Sequence, residues 1–249
     1  MLLLQTSCEV REPGCLDTRA ENFDFDAVDE CDSCCVLPPA FLSIAYAFDT
    51  TDFSFGDSIL LDSGDTLMIN SIQLSFSEFS FMAESEMLFL TDTIRNEQPI
   101  VRDNYLILTS TDRLEQIGRS DFVTEVLSYT FRVGLDPGLT LGLQPFEDVS
   151  DDSNFINVIE DMYVDSTSTL VQARMVLTVA DSTRRLDILN IENPNISVRD
   201  TVNVVLGQSW TVNMTMDMAV VLDGIEANQT NELMETTIGS NITRAIRPE

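Results

Sequence analysis

The chain has 249 residues, 44% of them hydrophobic, which is enough for one large domain, or for a small appendage plus one domain, with a sizeable core. Its 42 acidic residues outnumber 13 basic ones, giving a formal net charge of −29. Nucleic acids and anionic lipid surfaces would repel such a protein, so neither is expected as a direct partner. There is no histidine, and every basic residue is arginine. Ser-His-Asp triads, histidine-bound metals and P-loops are therefore excluded, and we expect no enzymatic activity.

The first eight residues combine a short apolar run with a cysteine. Residues 1–4 are apolar, and the small residues Thr6 and Ser7 precede Cys8. This arrangement resembles the end of a bacterial lipoprotein signal, in which the cysteine receives diacylglycerol. The resemblance implies a residual signal peptide over residues 1–7, lipidation of Cys8 and attachment to a membrane. A truncated or misassigned start would explain the short apolar run, and the alternative is an incidental free thiol.

The other four cysteines lie in an acidic segment, at Cys15, Cys31, Cys34 and Cys35. Five cysteines then divide into one for a lipid and four for two disulfides, which is typical of an exported protein. Three pairings exist, and a bond between the adjacent Cys34 and Cys35 would be strained, so two are left open. The rival interpretation is a zinc site of four thiolates, because Cys31 and Cys34 have the CxxC spacing.

Oxygen-bearing side chains recur in the same segment. Calcium takes six to eight oxygen ligands, and a loop closed by a disulfide could gather several of them. The sequence therefore suggests calcium as the one cofactor candidate, with these ligands: Asp17, Asn22, Asp24, Asp26 and Asp29. The EF-hand pattern is not met, because its glycine is absent, and solvated loop acids are the alternative.

A second resemblance rests on three short motifs: Gly14-Cys15-Leu16-Asp17, Asn22-Phe23-Asp24 and Asp32-Ser33-Cys34-Cys35. Together they resemble the acidic cysteine module found at the start of surface lipoproteins in one group of Gram-negative bacteria. The resemblance implies a lipid-anchored protein of the outer membrane, either periplasmic or surface-exposed. It also implies the disulfide pairing Cys15–Cys34 and Cys31–Cys35.

Pro38 and Pro39 mark a boundary between a cysteine-rich module, residues 8–38, and a domain of residues 39–249, because proline cannot donate to a strand ladder. Beyond it the apolar pattern has period two. A change of phase at Ser77-Glu78 predicts a β-bulge. Strands are predicted at residues 41–48, 67–81, 105–108, 123–133, 156–164, 170–179, 186–191 and 210–221. About eight strands without βαβ alternation predict an all-β, antiparallel β-sandwich or jelly roll. Short C-terminal helices are predicted at residues 231–234 and 241–244.

The order and spacing of several pieces of this domain carry a third resemblance. The pieces are Gly64-Asp65 before the strand at 66–77, Phe131-Arg132-Val133-Gly134, and Asp217 followed by Asp223-Gly224. They are similar to elements of the MbnP-like family of exported β-sandwich proteins, which implies that fold and export. The family's best-described members handle copper through histidines and an oxidised tryptophan. Because this chain has no histidine and only Trp210, that chemistry is not carried over.

Methionines 214, 216 and 218 alternate in one predicted strand, and thioethers bind Cu(I). Same-face residues lie about 7 Å apart along a strand, so we predict that these methionines are core residues.

The function that the sequence favours is a non-catalytic lipoprotein, a binding or accessory subunit of an outer-membrane or surface assembly. Its expected partners are the membrane, through the lipid, and other envelope proteins such as an outer-membrane β-barrel complex. The alternative is an exported copper- or calcium-handling protein related to the MbnP-like family.

Overall fold

The structure is a computed structural model that describes residues 12–31, 33–61, 63–90, 106–135, 163–164, 169–179 and 181–249. The predicted signal peptide, the lipidation of Cys8 and most of the strand predicted at 156–164 lie outside these ranges. No helix in the described ranges has the length and apolar character needed to span a bilayer.

The first half of the described chain contains nine strands. They are β1 (Pro39–Phe48), β2 (Thr51–Asp52), β3 (Ser58–Leu60), β4 (Thr66–Ala83), β5 (Glu86–Leu88), β6 (Leu106–Thr109), β7 (Leu114–Arg119), β8 (Glu125–Val126) and β9 (Ser128–Val133).

The second half of the described chain contains eight further strands and two helices. They are β10 (Tyr163–Val164), β11 (Thr169–Leu170), β12 (Ala173–Val179), β13 (Ser182–Ile188), β14 (Asn195–Val198), β15 (Val202–Asn203), β16 (Trp210–Asp217), α1 (Met218–Val221), α2 (Asn231–Ala245) and β17 (Ile246–Pro248).

One sheet is built around β1 and β16. These two strands pair in parallel, from Ala40 opposite Trp210 to Ala47 opposite Asp217. Strands β2 and β7 add to β1, and β17 adds to β16, all in antiparallel orientation. Among the paired strands of the described residues, β1 and β16 are the one parallel pair, and they are the first and the next-to-last of these strands.

The other sheet is organised by β4, an 18-residue strand. It lies between β12 and β9; β13 pairs with β12, and β14 pairs with β9. The register of β4 against β9 shifts between Ser77 and Ser80, and Glu78 has a φ of 56°. The β-bulge predicted at Ser77-Glu78 is confirmed, and it keeps Phe79 and Phe81 facing the core after Phe76.

The inner faces of the two sheets share one apolar core. The ring of Phe81, on β4, lies edge-on to Trp210, on β16, with 5.1 Å between centroids. Phe79 stacks on Phe131 at 5.5 Å. This face-to-face packing confirms the predicted β-sandwich.

The C-terminal helix α2 packs against β13. It begins at the N-cap Thr230, whose hydroxyl accepts a hydrogen bond from the backbone of Leu233. The buried Asn241 donates to the carbonyls of Val221 and Asp223, which ties α2 to the end of α1. The helices predicted at 231–234 and 241–244 are two parts of this one helix. The strand predicted at 210–221 ends earlier, because residues 218–221 form α1.

Candidate functional site

The candidate site is the cysteine module, defined here as residues 12–38, which surrounds a small backbone ladder. Gly14 donates to the carbonyl of Asp29 and accepts from the amide of Cys31, while Cys15 accepts from Asp24 at 2.8 Å. A Cβ at position 14 would lie 2.9 Å from the Cβ of Ala27, so only glycine fits this centre. The ladder gives this acidic segment a fixed conformation without a regular helix or sheet.

Two disulfides close the module. Cys15 is bonded to Cys35, with 5.0 Å between Cα atoms, and Cys31 is bonded to Cys34. The pairing implied by the module resemblance, Cys15–Cys34 and Cys31–Cys35, is therefore wrong. The backbone ladder holds Cys31 beside Gly14, and in this conformation the Cα atoms of Cys15 and Cys35 lie at a separation that a disulfide spans.

The four sulfurs bear on the zinc interpretation as well. Among the described residues, the ligand atoms of Cys31, Cys34 and Cys35 form the only group of three or more histidine, cysteine or acidic ligand atoms within 4.8 Å of one another. These sulfurs are joined in disulfides and are not thiolates, which are the form that binds zinc. The structure therefore supports covalent cross-links over the rival zinc site.

The acids suggested for calcium do not converge. No three carboxylates of the described residues meet within 4.8 Å, so Asp24, Asp26 and Asp29 do not form a common ligand set. The carboxylate of Asp17 is bound by Arg19 at 2.8 Å, and this hydrogen bond lowers the pKa of Asp17 below its ordinary value. Calcium binding in this loop stays a prediction that needs a rearrangement.

Asn22, also suggested for calcium, has a structural role here. Its carboxamide oxygen accepts from the amide of Val36, and its nitrogen donates to the carbonyl of Cys34, both at 2.8 Å. Both polar atoms of the Asn22 side chain therefore hold the backbone of residues 34–36 against the earlier part of the loop.

The module is fixed to one end of the sandwich. Arg19 donates to the carbonyl of Asp121 at 2.8 Å, and the amide of Ser120 donates to the carbonyl of Pro38 at 3.0 Å. The loop at Gly207 lies against Ala20, because a Cβ on that glycine would come within 3.3 Å of the Ala20 carbonyl oxygen. Backbone contacts on two sides therefore hold the module against the domain.

Sequence reasoning did not identify the exposed apolar side chains of the module. Phe25 is 87% exposed and Val28 58%, while Phe23 and Leu16 are about two-fifths exposed, at 40% and 39%. The signal was present in the sequence, since these residues alternate with acids and belong to no strand of period two. Only the backbone conformation shows that they turn outward.

The methionine stripe lies in the core, as predicted from its spacing. Met214, Met216 and Met218 are each 0% exposed. The Tyr129 hydroxyl, on β9 of the opposite sheet, donates to the sulfur of Met214 at 3.4 Å. Burial, together with the nearby Asp200 carboxylate, raises the pKa of Tyr129 to about 12, so the phenol keeps its proton at neutral pH.

A polar cavity of about 340 Å³ lies beside Tyr129. Its lining is rich in hydrogen-bonding groups and contains two carboxylates and no arginine. The residues that line it are Tyr129, Asp200, Thr201, Val202, Asn203, Thr211, Asn213 and Glu249. Oxygen atoms of this kind suit a ligand that carries hydrogen-bond donors or positive charge. This cavity was not predicted, because its residues come from strands distant in sequence.

No known protein family matches the chain. No curated protein sequence matches it either. Among solved structures, it is similar to MbnP from Methylosinus trichosporium, at 11% sequence identity. The similarity covers 76% of this chain and 78% of that one, with a TM-score of 0.44.

Proposed function

We propose that this protein is a non-catalytic binding subunit of the cell envelope, held at a Gram-negative outer membrane by a lipid on Cys8. The observation that carries the proposal is the disulfide-bonded module fixed to one end of the sandwich. Structural disulfides persist in oxidising compartments and are rare in the cytosol, which supports export. A preformed surface of this kind suits recognition, because little ordering is required when a partner binds.

The absence of lysine and histidine supports a role in binding rather than catalysis, because the common general bases and nucleophile-activating groups are lacking. The acidic surface also favours partners with positive charge over nucleic acid. Other envelope proteins, including an outer-membrane β-barrel complex, are the partners that we propose.

The anchoring part of the proposal is tested with protein isolated from membranes of its own cells. Mass spectrometry of the N-terminal peptide is expected to find a diacylglycerol-modified Cys8, and the Cys8→Ser variant is expected in the soluble fraction. The matched control is Ser7→Ala, which keeps the cysteine and is expected to stay with the membrane. An unmodified Cys8 in a soluble wild-type protein would overturn the anchor.

The binding part is tested separately. After gentle detergent extraction, the wild-type protein is expected to elute as a complex larger than its 27.8 kDa chain. A stable monomer under those conditions would count against a subunit role, whether or not Cys8 carries a lipid.

Metal handling is the second candidate, and the oxygen-rich cavity favours it. Asp200, Asn203 and Glu249 supply oxygen atoms, which are the ligands that calcium prefers. Elemental analysis of protein purified without chelators distinguishes the two functions. Stoichiometric calcium or copper that survives dialysis would place metal handling first, and its absence would leave the binding subunit.

A further inference from the structure

We propose that the outward apolar side chains of the cysteine module form a docking surface for a partner protein whose apolar pocket is ringed by lysine and arginine. The inference rests on the proposed binding function and identifies where the partner docks. The central residues are Phe25, 87% exposed, and Val28, 58% exposed. Large aromatic residues that protrude in this way are typical anchors of protein interfaces.

The exposed apolar residues Leu16, Phe23, Phe25 and Val28, here called the patch, lie in one short segment that the backbone ladder folds back on itself. Cys15 is bridged to Phe23, which places Leu16 beside the same strand segment. Adjacent backbones in such a ladder lie about 5 Å apart, so the segments that carry Leu16 and Phe23 are neighbours. The disulfide from Cys15 to Cys35 holds this arrangement before any partner arrives. Apolar groups held rigidly in water lose little freedom when they bind.

Two further exposed apolar residues lie on the sandwich, beside its contact with the module. Val205 and Leu206, both about half exposed at 48% and 50%, immediately precede Gly207, which lies against Ala20. The β15 strand before this loop pairs with β8, so the loop is held by the body of the domain. Several exposed apolar residues on both sides of this contact are more consistent with an interface than single scattered surface residues would be.

The charge around the patch indicates the chemistry of the partner. Residues 12–38 carry eight acids and one arginine, and that arginine, Arg19, is already paired with Asp17. The acids are Glu12, Asp17, Glu21, Asp24, Asp26, Asp29, Glu30 and Asp32. A basic rim on the partner complements this surface, whereas an anionic membrane would be repelled.

The experiment places a photo-crosslinker at the patch of the full-length protein in its own cells, as Phe25→p-benzoylphenylalanine. The same residue at Leu60, 73% exposed on β3, is the matched control position. Light is expected to link position 25, and not position 60, to a peptide of one envelope protein whose neighbouring surface carries lysine or arginine. The crosslink yield is expected to fall as salt rises from about 0.05 to about 0.5 M in isolated membranes, because screening weakens the rim contacts.

Two variants separate the apolar and charged contributions. Phe25→Ser with Val28→Ser is expected to lower recovery of the same protein in detergent by about tenfold, while Leu60→Ser leaves recovery unchanged. Asp26→Asn with Asp29→Asn is expected to weaken the salt dependence of the crosslink yield at position 25. Unchanged unfolding midpoints in all variants establish that the fold is intact.

Other crosslinks overturn the proposal. A product with lipid, with residues 1–11 of the same chain or with a second copy would assign the patch to another occupant. A partner linked at position 60 and not at 25 would leave the binding function standing and refute this surface. No protein crosslink at either position, together with a monomer in detergent, would refute both.

Discussion

The indole nitrogen of Trp210 donates a hydrogen bond to the hydroxyl of Ser120 at 3.1 Å, and both residues are buried. Trp210 begins β16, and Ser120 follows β7, so the bond ties together two strands that flank β1 in the same sheet. The amide of Ser120 also donates to Pro38, at the end of the cysteine module. One buried serine therefore links the sandwich core to the segment that carries the module.

Replacing Ser120 with alanine is expected to destabilise the protein by about 1–3 kcal/mol, because the buried indole N–H loses its acceptor. Trp210 is the single tryptophan, so its emission during urea unfolding measures the change directly. Ser182→Ala, at an exposed position in β13, is expected to stay within about 0.5 kcal/mol of wild type. Equal midpoints for the two variants would show that the Trp210 hydrogen bond contributes nothing.

The two disulfides are expected to differ in importance because they close loops of different length. Cys15 and Cys35 are 20 residues apart, and Cys31 and Cys34 are 3 apart. Loop-closure entropy predicts about 3 kcal/mol for the first bond and about 2 kcal/mol for the second. Cys15→Ala with Cys35→Ala should therefore loosen the module more than Cys31→Ala with Cys34→Ala.

Trypsin measures this loosening, because the chain has no lysine and the module's described part contains one arginine, Arg19. Arg19 is held by Asp17 and by the Asp121 carbonyl, so cleavage after it requires local opening. The rate of cleavage after Arg19 is expected to rise in both double variants. The rise is expected to be about tenfold larger in the variant that lacks Cys15 and Cys35. A faster cut in the Cys31 and Cys34 variant would contradict the loop-length argument.

Helix α2 contains a glycine where it packs closely against the segment that follows β13. A Cβ on Gly239 would lie 2.3 Å from the carbonyl oxygen of Asn190, and the Gly239 carbonyl accepts from the amide of Glu192. Gly239→Ala gains about 1 kcal/mol of helix propensity, but pushing the helix off the sheet costs about 1–3 kcal/mol. A net loss is expected, seen as a lower melting temperature. Thr236→Ala, exposed on the same helix, should be neutral or stabilising, and a stabilised Gly239→Ala would disprove the close packing.

This glycine also shows where sequence reasoning fails. Short helices are predicted at residues 231–234 and 241–244, and Gly239-Ser240, two residues of low helix propensity, lie between them. The structure continues the helix through them, since the small side chain lets the backbone approach Asn190. A tertiary contact fixed by residues some fifty positions away overrides the local preference.

The strands show the same contrast between features set by neighbouring residues and features set by distant ones. Alternation locates β1 and β4, and the change of phase at Ser77-Glu78 locates the bulge, because both depend on neighbouring residues alone. The parallel pairing of β1 with β16 cannot be predicted from local alternation, because most of the chain separates the two strands in sequence. Short strands such as β14 and β17 carry too few alternating residues to be recognised. The candidate surface is missed for a related reason, because exposure of Phe25 depends on the ladder around Gly14.

The pair of Asp187 and Arg174 predicts a pH dependence of stability. Arg174 is 7% exposed and its Nε donates to Asp187 at 2.6 Å; Arg185 binds the same carboxylate from the surface. Burial raises the pKa of Asp187, but the hydrogen bonds and charges of Arg185 and Arg174 outweigh it, and the net pKa is lowered. The pair's contribution to stability is therefore complete above the ordinary aspartate pKa and is lost as pH falls below about 4.

Asp187→Asn should cost about 3 kcal/mol at pH 7, because Arg174 is left buried without its carboxylate. Arg185→Ala, whose side chain is 54% exposed, should cost less than about 1 kcal/mol. Glu235, whose pKa is raised by burial and also by the charge of Asp187, acts in the opposite direction, so wild type and Asp187→Asn are compared in a Glu235→Gln background. Urea midpoints are expected to differ strongly at pH 7 and to converge as the pH is lowered towards about 3. A constant difference across this range would show that the charge of Asp187 does not stabilise the fold.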